Sequence, residues 1–371
     1  MRHIMFISHS RGIHGAEAVM IQAIQACINR GTRVTVVVPS IGPEEGLTDV
    51  MKNKKDVTLL SLPYRSAGKN IIRTQLVRLY NLYALMLLAR YVRNNGVDTV
   101  YSTTTITIIG SDLTRHSHCR HIWHWHEPVD ERFGWHHSLK HLYSRIAQRA
   151  DVIICISHQQ QNEWQNTLEV ELSNAQIIYN PIKRIAFSAR DNSLIHKDIT
   201  FGFIGHFEER KNIELLIHTF ERLHKIAPDT RLLLCGAIDE RDRNYVLKMT
   251  NLREPELVIM EQTSCVENFY SNVDVLVLPS WRETMPLVVL EAMQLGVCVL
   301  QTNRSGMNEL IIDEKESLFF SPDDPEQLFS YMNRCLNNDY REQIAREGQN
   351  RAIKLVDNQM FDQQIQNLLC E

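Results

Sequence analysis

Asp274-Val-Leu-Val-Leu-Pro279-Ser-Trp-Arg-Glu283-Thr-Met-Pro286-Leu-Val-Val-Leu-Glu291-Ala-Met is the stretch whose reading decides the fold. The apolar run from Val275 to Leu278 stops at Pro279 and Ser280, the pattern of a strand buried on both faces of a parallel sheet. A helical pattern begins near Pro286, whose fixed φ suits a first helical position. Glu283 therefore falls in the loop at the carboxyl end of a strand, and Glu291 about one turn into the next helix. In open α/β sheets that crevice is where ligands bind.

Outward from this segment, the chain reads as two alternating strand–helix series. Strands are predicted at Ile4–Ser8, Arg33–Val38, Val57–Leu62, Thr99–Ser102, His121–Trp125, Val152–Ser157 and Gln176–Tyr179 in the first half. The second half repeats the scheme at Ile199–Ile204, Arg231–Leu234, Leu257–Met260, Val275–Leu278, Val297–Gln301 and Leu318–Phe320. Strands alternating with helices imply parallel sheets and right-handed crossovers. The polar segment Lys183–Asp198 lacks periodicity and reads as a linker. The expected class is α/β, with two doubly wound, Rossmann-like domains facing across a cleft. The predicted bounds are 1–182, 183–350, and a terminal helix in 351–371 that returns to the first domain.

A chain of 371 residues suits two domains better than one core. Hydrophobic content of 44% and charged content of 23% are globular values. A net charge of −4 is small and gives no evidence for nucleic-acid binding, and no nucleic acid is expected as a partner. The eight cysteines are scattered, without a Cys-x-x-Cys pair, and mostly sit in apolar runs. They read as reduced core residues of a cytoplasmic protein. The apolar run at the start is too short for a signal peptide and reads as a first strand.

The segment around Glu283 and Glu291 resembles the donor site of retaining glycosyltransferases built from two Rossmann domains, glycosyltransferase family 4 in particular. Further segments carry the likeness along the chain. Gly12-Ile-His14-Gly15-Ala-Glu17 follows the first strand and is similar to the family's Gly-Gly-Ala-Glu, with His14 in place of a glycine. Glycine there lets backbone approach a ligand closely, and the next helix offers its positive end. Phe201-Gly-Phe-Ile-Gly205-His206-Phe-Glu-Glu-Arg210-Lys211-Asn212 resembles the element whose arginine and lysine hold the donor diphosphate. Lys211 matches the lysine, while His206 stands where the arginine is expected and Arg210 is the other cation in reach. The resemblance assigns Glu283 to the transferred sugar near its anomeric carbon, with a catalytic role, and Glu291 to the ribose hydroxyls.

Cleaving a sugar–phosphate bond leaves extra negative charge on a nucleoside diphosphate, which must be stabilised as it develops. No Asp-x-Asp element is present to hold a cation, and no cofactor or metal is expected. Backbone amides of Thr284, Met285, Leu287 and Val288 at a helix start, together with a cationic side chain, can serve instead. The region from His116 to His141 is rich in histidine. His137 and His141 have the i, i+4 spacing of a zinc pair, but no nearby group completes a ligand set. The resemblance places a donor-contacting histidine at the end of the strand Ile122-Trp-His124-Trp-His126-Glu127-Pro128, best matched by His126 and next by His124. Tyr179-Asn180-Pro181-Ile182 resembles the segment that joins the domains. Ser305-Gly306-Met307-Asn308-Glu309 resembles a loop lining the donor pocket.

The expected activity is transfer of a sugar from a nucleotide-sugar to a glycan or lipid-linked glycan acceptor, with retention. From Val57 to Val97 the chain has no acidic residue but carries Arg65, Lys69, Arg73, Arg78, Arg90 and Arg93. On a helical wheel Leu76, Leu79, Tyr80, Tyr83 and Leu87 share a face, with Arg73, Arg78 and Asn81 opposite. A basic amphipathic helix near 69–93 is therefore a candidate for peripheral contact with an anionic membrane, and equally a domain helix with a solvated face. Two rival functions remain at this stage. One is a dinucleotide-dependent oxidoreductase, although Gly12–Gly15 lacks the full Gly-x-Gly-x-x-Gly spacing and no acidic residue follows the second strand at Val38-Pro39-Ser40. The other is a non-catalytic sugar-binding relative.

Overall fold

The computed structural model describes residues 2–42, 46–115, 117–129, 135–185, 198–261, 266–357 and 360–370. The chain falls into two compact units, Met1–Pro181 with Met360–Glu371, and Ile182–Gln359. Most of the expected linker, together with His116 and Cys265, lies outside the described residues.

The first unit carries strands β1 (His3–Ile7), β2 (Arg33–Pro39), β3 (Val57–Leu62), β4 (Thr99–Thr103), β5 (Arg120–Trp125), β6 (Val152–Cys155) and β7 (Ala175–Ile177). They form one parallel sheet in the order β3-β2-β1-β4-β5-β6-β7. Strand order reverses between β1 and β4, which is the topological switch point of a doubly wound sheet. β1, β4 and β6 are buried along their whole length, as expected of strands covered by helices on both faces. Helix α1 (Gly15–Asn29) begins directly after β1.

Between β3 and β4 lie α2 (Ile71–Tyr80) and α3 (Leu82–Asn95), almost continuous across Asn81. Here the wheel grouped the apolar residues correctly, but of those opposite them Asn81 and Arg78 turn inward while Arg73 stays exposed. Asn81 is buried, and its amide clamps Arg65 through Arg65 N–H to Oδ1 (2.9 Å) and Nδ2–H to the Arg65 carbonyl (2.9 Å). Arg78 is half-buried against Asp112, whereas Leu76, Leu79, Tyr80, Tyr83 and Leu87 are exposed.

The second unit carries β8 (Ile199–Ile204), β9 (Thr230–Ala237), β10 (Leu257–Glu261), β11 (Val275–Leu278), β12 (Cys298–Thr302) and β13 (Leu318–Phe320). All pair in parallel, in the order β10-β9-β8-β11-β12-β13, with the switch between β8 and β11. The core includes Phe201, Phe203, Leu216, Phe220 and Leu276, all fully buried. The helices that bear on the site are α4 (Ile213–Ile226), α5 (Val266–Tyr270) and α6 (Leu287–Gln294). Helix α6 starts one residue later than the proline suggests. Pro286 is its cap, extended at φ −72° and ψ 105°, rather than its first helical residue.

The last helix, α7 (Phe361–Cys370), belongs to the first unit and packs on α1 through Phe361, Ile365, Leu368 and Leu369. Gln366 donates to the Ala26 carbonyl (3.0 Å) and Arg120 to the Leu368 carbonyl (2.8 Å). Among the described cysteines all are free thiols. Five are buried, and Cys119 and Cys370 are half-buried.

Candidate active site

Two loops meet at the carboxyl ends of the switch strands of the second unit. The first follows β8 and opens with Gly205 at φ +148°, a conformation that favours glycine. Beside it Gly236, next to last in β9, has φ +142°, and a Cβ there would sit 1.9 Å from the Gly205 carbonyl oxygen. The pair of glycines lets the two strand ends approach, and the Gly205 N–H donates to the Cys235 carbonyl at 3.0 Å. A short 3-10 turn, Glu209–Lys211, and left-handed Asn212 (φ 51°) then lead into α4.

The second loop follows β11 and carries Glu283, which is 6% exposed. Its backbone is held from two sides, by its own N–H on the Arg304 carbonyl (2.9 Å) and by the Gly306 N–H on its carbonyl (3.3 Å). Arg304 and Gly306 thus brace the backbone that carries the carboxylate. Lys211 Nζ lies 2.7 Å from Oε1 and Arg210 Nη1 lies 3.4 Å from Oε2. Ser280 Oγ donates to Oε1 at 2.6 Å. Adjacent residues on a 3-10 turn point in different directions, yet the lengths of Lys and Arg bring both cations to one carboxylate. Arg210 also reaches Glu208 at 2.8 Å. Burial pushes the Glu283 carboxyl up. Lys211, Arg210 and the Ser280 hydrogen bond outweigh that and hold it below its ordinary value.

Glu291 lies on α6, half-buried, and accepts from the Tyr270 hydroxyl at 3.1 Å. The same hydroxyl donates to the Val288 carbonyl (3.1 Å), so α5 fixes both the helix start and the carboxylate. Burial raises the Glu291 pKa, against the lowering effect of Tyr270 and Lys183. Leu287 and Val288 occupy the first two helical positions of α6, whose amides have no partner within a helix. Met285 is buried and Thr284 half-buried. His206 is exposed at the start of the first loop.

In the first unit, Gly15 opens α1 exposed, and a Cβ on it would meet nothing within 4 Å. Packing therefore does not require glycine at 15. Glu17, fully buried below it, accepts from Ser8 Oγ (3.1 Å) and the His14 N–H (3.4 Å) and pairs with His9 Nδ1 (2.8 Å). Burial opposes both charges of that pair. The mutual attraction prevails, raising His9 and lowering Glu17. His126 follows β5, its ring 4.0 Å from that of fully buried His124, whose Nδ1 bonds to the Tyr101 hydroxyl. Burial lowers the His126 pKa to about 4, with Glu17 acting in the opposite direction.

The residues named from sequence thus divide between the units. Lys211, Arg210 and Glu283 converge, the 284–288 loop and Glu291 follow Glu283 in the chain, and Gly15 and His126 belong to the other unit. Ser280 and Tyr270 were not singled out. A serine after a strand carries little signal, and nothing local marks a helix tyrosine that bonds a glutamate 21 positions later. His137 lies in a 3-10 turn (His137–Leu139) and His141 in the next helix. Among the described residues no three His, Cys, Asp or Glu side chains gather as a cation site.

Comparison with known proteins bears on both units. The family model described as Glycosyltransferase Family 4 matches residues 13–184, and the one described as Glycosyl transferases group 1 matches residues 186–351. An uncharacterized glycosyltransferase of Methanocaldococcus jannaschii is 23% identical over 308 residues, covering 78% of this chain and 83% of that protein. The capsular polysaccharide biosynthesis glycosyltransferase CapM of Staphylococcus aureus is 23% identical over 181 residues, 48% of this chain and 47% of that protein. Among solved structures, Anabaena HepE in complex with UDP and glucose superposes with a TM-score of 0.78 over 100% of both chains at 16% identity. That likeness concerns the fold.

Proposed function

The chain belongs to the group 1, family 4 glycosyltransferases, and we propose that its second unit binds a nucleoside-diphosphate sugar whose glycosyl group passes to a glycan or lipid-linked glycan. The observation that carries the reading is the convergence of Lys211 and Arg210 on Glu283 at the ends of β8 and β11. Ligands of doubly wound sheets bind at that place in the topology. In this reading Lys211, Arg210 and the amides of the 284–288 loop take the diphosphate. Arg210 supplies the second cation, and exposed His206 stands where the family's arginine is expected. Glu291, an acceptor on two oxygens, takes the ribose hydroxyls. Glu283 orients the sugar near its anomeric carbon.

The bond from the anomeric carbon to the diphosphate oxygen breaks, and a bond to the acceptor oxygen forms. The proton of the acceptor hydroxyl goes to the departing diphosphate, so attack on the face it leaves retains configuration. Lys211 and Arg210 stabilise the charge that develops on that leaving group, with no metal in the reading. Because HepE was solved with UDP and glucose, UDP is the first nucleotide to test. The name of the relative CapM makes polysaccharide assembly the first acceptor context to test.

Incubation of the purified chain with UDP-, GDP- and ADP-sugars and an acceptor pool, with nucleoside diphosphate release as readout, tests the proposal. Release is expected from one donor. Glu283→Ala and Lys211→Ala should each lower it by about 10²-fold or more while the melting curve keeps its cooperativity. Full activity in either variant refutes the assignment.

A further inference from the structure

The helix pair α2–α3 turns its apolar side to solvent. Ile72, Leu76, Leu79, Tyr83 and Met86 are 71, 62, 65, 58 and 64% exposed. Their spacings alternate between four and three residues, which lines them up as one stripe along the outward face. Tyr80, Leu82 and Leu87 flank the stripe and are exposed too. Thr74, Asn81, Ala84, Leu88 and Val92 form the buried side, and the double bond between Asn81 and Arg65 fixes which face points out. A contiguous exposed apolar surface of this kind marks an interaction site.

The charge around the stripe selects the partner. Between Val57 and Val97 there are six Arg and Lys residues and no Asp or Glu. Arg78 is paired with Asp112, while Arg65, Lys69, Arg73, Arg90 and Arg93 are exposed. Arg90 and Arg93 continue the spacing of the stripe beyond Met86, and the Arg65 guanidinium lies 5.1 Å over the Tyr80 ring. A second copy of the chain would bring like charges together around the apolar centre. An anionic surface would meet every one of them with opposite charge. We propose that this face docks on an anionic bilayer, with the stripe at the headgroup–acyl boundary and the Arg and Lys heads at phosphate level. The helices lie on the bilayer rather than across it. No helix among the described residues is long and apolar enough to span one. The proposal does not depend on the transferase reading.

Vesicle sedimentation of the full chain, without donor or acceptor, tests it. Vesicles of phosphatidylcholine alone and with about one-third phosphatidylglycerol are compared at low and high salt. The chain is expected to pellet with the anionic vesicles at low salt and weakly with the neutral ones. Arg90→Gln with Arg93→Gln should lower the partition coefficient about thirtyfold. Leu76→Gln with Tyr83→Gln and Met86→Gln should abolish pelleting. Because all five positions are exposed, these variants should melt with the wild-type chain. A wild-type chain that ignores anionic vesicles overturns the proposal, as does a stripe variant that binds undiminished. A dimer in sedimentation equilibrium that the stripe variant dissolves would make the face an interface between copies, and also overturns it.

Discussion

At the scale of single residues, Glu283 and Glu291 are two carboxylates placed in opposite electrostatic situations. Glu283 is held ionised by Lys211, Arg210 and Ser280 despite its burial. Glu291 has only a tyrosine hydroxyl and a more distant lysine against its burial, and its pKa rises. A protonated Glu291 accepts one ribose hydroxyl less well. Donor KM is therefore expected to rise as pH falls through the raised Glu291 pKa, and Glu291→Gln should remove that limb while raising KM at neutral pH. An unchanged acidic limb in Glu291→Gln would assign it to another group. The glycines make a second contrast. Gly236→Ala should cost about 3 kcal/mol or more, because its Cβ would overlap the Gly205 carbonyl and its φ is positive. Gly15→Ala has room and should leave stability within about 0.5 kcal/mol, yet lower transfer if backbone must approach a ligand there. Urea melts and initial rates on the same preparations read both effects. At this scale the sequence was most informative where a motif fixed both residue type and position, as at Lys211 and Glu283. It was silent on Ser280 and Tyr270, whose role arises only when distant segments fold together.

At the scale of elements, burial explains what could be read in advance. Strands covered on both faces are near-continuous apolar runs, so β11 matches its reading to the residue. The pair α2–α3 shows the limit. Periodicity says which residues share a face, not which face turns outward, because that depends on what the neighbouring elements offer. Strand β5 yields a prediction of its own. Burial lowers His121 to about 3, His126 to about 4 and His124 well below its ordinary value. An imidazole depressed in the fold leaves the unfolded chain binding more protons between its two pKa values, so stability falls as pH drops below about 6.5. For fully buried His121 and His124 the slope is about 1.4 kcal/mol per pH unit each. His9 is raised, so its contribution is complete below 6.5 and does not offset the slope. Glu17 and Glu283 are lowered and lose their contributions only below about 4.5. Tryptophan fluorescence in urea at pH 7, 6 and 5 follows the first unit, which holds four of the five tryptophans. A midpoint independent of pH would contradict the burial of these rings.

At the scale of the whole molecule, two Rossmann-like units repeat one topology, and each places its loops at the carboxyl ends of its switch strands. The sequence announced that repetition through two runs of alternating strands and helices. Donor base, sugar and acceptor were not legible, because backbone and pocket shape select them rather than residue type. The proposed charge stabilisation comes from Lys211, Arg210 and helix amides, so transfer should persist in excess chelator. Strict dependence on an added divalent cation would count against it. The most direct measurement is calorimetric titration of UDP, GDP, ADP and NAD into the wild-type chain and into Lys211→Gln. One nucleoside diphosphate should bind the wild-type chain, and Lys211→Gln should weaken it at least tenfold, the loss of a charge-assisted contact. Equal affinity in the two proteins, or tight binding of NAD alone, would contradict the account.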